Sequence, residues 1–78
     1  ALPICALSES ELKKLVQDYP NNPWGYIAWG DIYLFNKKDD YDRAKELYGR
    51  ALAIAEDKYD IMTVNERLEN LEDASQRR

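Results

Sequence analysis

The sequence contains no histidine and a single cysteine, Cys5. Neither an intramolecular disulfide nor a cysteine- or histidine-based metal site can be built from that stock. The lone thiol is expected to be a small buried hydrophobe or an end-of-chain accident, and so little cysteine points to a reducing compartment, the cytoplasm. Basic charge is also short, with 11 Lys and Arg against 15 Asp and Glu, a formal balance of −4. A nucleic-acid surface needs a basic patch, and Lys37-Lys38 is too small to be one. Long apolar runs are missing as well. The opening Ala1-Leu2-Pro3-Ile4-Cys5-Ala6-Leu7 is too short to span a bilayer and lacks the basic front end of a signal peptide. Glycine is scarce, and Gly25 and Gly30 fall inside a helical pattern, without the strand, turn and lysine that a phosphate-binding loop requires. Because the first residue is not Met, the expectation is a processed product or a fragment of something longer.

What is present suits one small helical domain over residues 1–78, with a thin core. Residues 1–7 read as an N-terminal tail. Ser8 followed by Glu11 forms a capping box, and Leu12, Leu15, Val16 and Tyr19 then make one apolar stripe, so a first helix is predicted over 8–19. Pro20-Asn21-Asn22-Pro23 is a turn in which Asn22 caps and Pro23 takes the first position of a second helix, 23–36. That helix is apolar nearly all round and is expected to be covered on two sides. Asp40 caps a third helix, 40–55, with Ala44, Leu47, Tyr48, Ala51, Leu52 and Ala55 inward. Around Glu56–Asp60 the pattern breaks without Pro or Gly, compatible with a short loop or a continuous helix. Ile61, Val64, Leu68 and Leu71 mark a fourth helix, 60–74, whose outer face carries Glu66, Glu69, Glu72 and Asp73 against Arg67. Residues 75–78 form a tail whose cations favour the helix dipole. No strand signal occurs; the predicted class is all-α.

The chain is organised around Trp24–Ala55, which holds both tryptophans and four of the six tyrosines. Ala28, Gly30, Ala44, Gly49 and Ala51 lie among those rings at helical spacings. This mixture predicts two closely packed antiparallel helices, with rings filling the space left by small residues.

Tyr26, Trp29-Gly30 and Tyr33, followed by Asp40-Tyr41-Asp42-Arg43-Ala44, Tyr48 and Ala51, resemble the tetratricopeptide repeat (TPR). Leu12, Leu15 and the Pro20–Pro23 turn are similar to the closing half of a preceding repeat. The resemblance covers about residues 8–55 and implies a fragment of a right-handed α-solenoid of about four helices, a scaffold that binds protein. It assigns Tyr26, Trp29, Gly30, Tyr33, Ala44, Tyr48 and Ala51 to the hairpin core. The chain departs from the pattern in three places. The interhelix loop is about two residues longer, the Pro after the second helix is missing near Glu56, and 60–74 lacks the aromatic-Gly signature and reads as a capping helix. Residues Pro23–Asp31 also look similar to repeat segments of bacterial proteins carrying a SecA-tail-like zinc motif, but that motif's cysteines are absent here.

Function is therefore expected in binding, not catalysis. Asp39 and Asp40 belong to a polar loop, and Glu69, Glu72 and Asp73 to a solvated face, so capping and solubility account for them. No catalytic residue, cofactor or metal is assigned. If the hairpin packs as the resemblance implies, Trp24, Ile27, Asp31 and Leu34 line the inner face of the second helix, unless missing repeats or the capping helix cover that patch. A ring, two aliphatics and one carboxylate there would hold an apolar or basic-apolar peptide. The family's clamp for a terminal carboxylate is not supported, because Ile27 and Asp31 occupy its positions. The alternative is a structural or self-assembly module, stacking on another copy or on a larger parent protein. Neither nucleic acid nor membrane is expected as a partner.

Overall fold

The computed structural model describes residues 8–36 and 40–76. Over these residues the chain is all-helical: α1 is Glu9–Asp18, α2 is Pro23–Asp31, α3 is Tyr41–Ile54 and α4 is Lys58–Gln76. There is no strand among the described residues. The N-terminal tail with Cys5, residues 37–39, and Arg77 and Arg78 lie outside them.

Local chemistry sets the helix starts. Ser8 Oγ accepts the Glu11 amide at 3.2 Å while Glu11 Oε1 accepts the Ser8 amide at 3.1 Å, so two orphan donors of α1 are satisfied reciprocally. Asn22 Oδ1 takes the Trp24 amide at 3.1 Å, with Pro23 at the first position of α2. Asp40 caps α3 through the Arg43 amide. The break before α4 is a short loop, and Asp57 makes the new start. Its side chain accepts the Tyr59 amide at 3.1 Å and its carbonyl accepts the Ile61 amide at 3.0 Å. This fourth side-chain cap starts α4 at Lys58 instead of residue 60, and the helix continues through Gln76.

The second helix does not stay α to residue 36. From Ile32 to Asn36 the backbone takes the wider π turn. Tyr33 and Leu34 are buried in this turn, and Phe35 faces out.

α2 is the hub. It packs against α1, α3 and α4, which is how a helix with no polar face becomes buried. The core joins Leu12 and Val16 of α1, Ile27, Ala28 and Trp29 of α2, and Ala44, Leu47, Tyr48 and Ala51 of α3. Val64 and Leu71 of α4 complete it. Full burial of Leu12, Ile27 or Val64 is worth about 1.5–3 kcal/mol each. Ile61 and Leu68, on the same stripe of α4, are half-buried.

Two glycines permit the close approaches. A Cβ on Gly30 would stand 2.7 Å from Tyr48 Cε1, and one on Gly25 would stand 2.8 Å from Val16 Cγ1. Gly49 differs. Its spacing groups it with the small residues that make room for rings, but beyond its own stretch of helix no atom comes within 4 Å of the place its Cβ would take, and it faces solvent on α3.

Candidate functional site

Two polar clusters join the helices, and each is anchored on a carboxylate. In the first, Glu9 Oε2 accepts from Trp29 Nε1 at 3.1 Å and from the Tyr33 hydroxyl. Arg43 Nε donates to that hydroxyl at 3.1 Å, and its guanidinium carbon lies 5.9 Å from the Trp29 ring centre and 5.5 Å from that of Tyr33. A cation over two aromatic faces is attracted by both quadrupoles while its N–H serves the phenol. One cluster thus ties α1, α2, the π turn and α3 together. Glu9 and Arg43 escaped sequence reasoning, because nothing in local spacing links Glu9 to rings 20 and 24 residues away.

In the second cluster, Asp31 Oδ1 accepts from the Tyr48 hydroxyl and from Arg67 Nε, the latter at 3.1 Å. Burial, and then the bond to Asp31, push the Tyr48 phenol well above its ordinary range. Arg67 was expected among the carboxylates on the outer face of α4. Instead it turns inward to Asp31, with just over a quarter of its side chain exposed. Near the start of α2, Trp24 Nε1 donates to Asp60 Oδ1 at 2.8 Å. The pairs 24–60 and 31–67 have the same separation, 36 residues. A constant offset along two helices means that α2 and α4 run parallel and in register.

This register decides the fate of the expected groove. Trp24, Ile27, Asp31 and Leu34 do not line an open surface. Trp24 and Asp31 are both bonded to α4, while Ile27 is 1 % and Leu34 4 % exposed. The physical reason is that an apolar helix with no polar face is covered wherever a neighbour can reach it, and α4 reaches this side. Asp31, expected to orient a peptide, holds Tyr48 and Arg67 instead.

Trp29, Gly30, Tyr33, Ala44, Tyr48 and Ala51 are buried, and Tyr26 packs half-buried against the cluster. Among the described residues, no group of three His, Cys, Asp or Glu side chains is placed to hold a metal ion, and no helix is long and apolar enough to cross a membrane.

The large apolar surface left open on α4 is Tyr59, 67 % exposed, and Met62, 61 % exposed. They continue, at spacings of three and four, into Glu66, Glu69 and Asp73 on the same side of the helix. Comparison with family models, curated proteins and solved structures finds no match to this chain.

Proposed function

We propose that this chain is a non-enzymatic, TPR-like interaction module that serves as a cytoplasmic scaffold or adaptor for a protein or peptide. In this reading α2 and α3 are the two helices of one repeat, α1 is the closing helix of a preceding one, and α4 stands where the first helix of the next would stand. The observation that carries it is the parallel register of α2 and α4 at a constant offset of 36 residues. A helical repeat brings corresponding helices of successive units side by side and parallel, and a usual period of about 34 residues lengthened by an interhelix loop about two residues longer gives this offset. The interlock of Gly30 with the Tyr48 ring is further support, since it joins the two residues that most resemble the family's pattern. The half-buried carboxylates Glu9 and Asp31 are engaged in holding aromatic side chains, which favours a structural use for both.

With the inner face of α2 covered, a partner would reach Trp24, Ile27, Asp31 and Leu34 only by displacing α4. Contact on the outside of the bundle avoids that cost. The second reading, a structural module stacking on another copy or on a larger parent protein, is favoured by exposed Tyr59 and Met62. Two measurements test these readings. Affinity capture should retain partners on the folded chain and lose them on a Gly30→Leu variant that cannot close the hairpin; identical capture by both would refute an interaction module. Sedimentation over a concentration series should show a monomer for the adaptor and a growing assembly for the stacking module.

A further inference from the structure

A groove of about 510 Å³ runs between the first turn of α3 and the last turns of α4. Tyr41, Leu68 and Leu71 supply its apolar surface, and Asp42, Lys45 and Glu72 supply its charged rim. Tyr41 and Leu68 are half-buried, so apolar surface stays within reach of a partner. Glu69 and Asp73 adjoin the rim, sharing a second hollow with Glu72. On the stretch of α4 from Tyr59 to Gln76 the one cation is Arg67, and it is drawn inward onto Asp31. The outer side of that stretch is therefore acidic among the described residues, with Lys45 of α3 the single cation on the groove itself. From Leu68 to Gln76 the floor extends about 12 Å, two turns of a docked helix.

Resting on the reading of the chain as an interaction module, we infer that the α3–α4 groove docks a short, basic amphipathic helix of a partner protein. Its apolar stripe would cover Leu68 and Tyr41, and its Lys or Arg side chains would meet Asp42, Glu69 and Glu72. Recognition of this kind places anchors at helical spacing in the groove and uses opposite charge at the rim to set orientation and encounter rate. An acidic or purely apolar helix would lack the second element.

The test uses the full chain and two synthetic helical peptides of about 14 residues, one of Leu and Lys and one of Leu and Glu in the same pattern. Amide chemical shifts are followed on titration. The Leu/Lys peptide should shift residues around Tyr41, Lys45, Leu68 and Ser75 and bind at least about tenfold tighter than its acidic counterpart. Glu69→Lys with Glu72→Lys should weaken it at least about tenfold, and Glu69→Gln with Glu72→Gln by less. Asp18→Lys with Glu56→Lys, the same charge change away from the groove, should leave binding within about twofold. Equal affinity for both peptides, equal loss in the remote variant, shifts elsewhere, or a concentration-dependent dimer occupying the groove would each overturn the inference. Fold-dependent partners still captured by Glu69→Lys/Glu72→Lys would remove this groove alone. Loss of all fold-dependent capture, even by the native chain, would remove the interaction reading itself.

Discussion

Replacing each glycine by alanine makes the same chemical change in three surroundings, and the three outcomes should differ in size, with Gly49 and Gly30 at the two extremes. In a helix the change gains up to about 1 kcal/mol of propensity. At Gly49 nothing opposes that gain, because the added methyl meets only solvent. Gly49→Ala should therefore stabilise the chain by about 0.5–1 kcal/mol. At Gly30 the methyl would stand 2.7 Å, 2.9 Å and 3.1 Å from Cε1, Cδ1 and Cζ of Tyr48. That ring is fully buried and its hydroxyl is tied to Asp31, so it has no free direction in which to yield. Overpacking of this kind costs about 1–3 kcal/mol. Propensity cancels in the difference between Gly30→Ala and Gly49→Ala, which isolates the packing term at about 1–3 kcal/mol. For a chain of this size 1 kcal/mol moves the melting midpoint by about 4–8 °C, so the two variants should melt well apart. Gly25→Ala should fall between them, because its methyl would crowd one atom, Val16 Cγ1 at 2.8 Å, where the Gly30 methyl would crowd three atoms of a ring. Thermal and urea unfolding followed by circular dichroism measure all three. If Gly30→Ala stabilised as much as Gly49→Ala, the ring would not be locked and the account of the hairpin would be refuted.

The ion pair between α2 and α4 should show coupling: a double-mutant cycle of Asp31→Asn and Arg67→Gln is expected to give an interaction of about 1 kcal/mol, and none would mean that the bond is ornamental. The raised pKa of Tyr48 makes stability fall in alkali. Its contribution is complete below the ordinary phenol pKa of about 10 and is lost as pH rises from there toward the higher folded value, so unfolding free energy should decline from about pH 10 upward. Tyr48→Phe should flatten this decline, as pH-dependent urea curves would show. Glu11 runs the other way: the Ser8 amide, and then the Ser8 hydroxyl, hold its carboxyl below the usual range. The stabilisation of α1 linked to it is present above the unfolded carboxyl pKa and fades as pH falls through the folded one, which side-chain NMR titration of Glu11 would follow.

Much of the local structure follows from the sequence alone. Ser8, Asn22 and Asp40 act on amides two or three residues away, so their capping is written in short spacings. The inward stripe of α3 is legible for the same reason, since helical periodicity places Ala44, Leu47, Tyr48 and Ala51 together whatever lies opposite. Spacing puts small residues and rings on the same hairpin, but that Gly30 is the one that meets the Tyr48 ring is set by the packing. What a face is used for was decided by tertiary contact. Trp24, Ile27, Asp31 and Leu34 form a stripe on α2 by spacing, but only the approach of α4 makes it an interior instead of a groove. Arg67 has the same neighbours in sequence whether it points to water or to Asp31, and the parallel register of α2 and α4 selected Asp31. Glu9 is a first-turn acid by sequence and an anchor for Trp29 and Tyr33 by structure. Periodicity says which residues travel together, while partnership depends on distances between segments that only the folded chain sets.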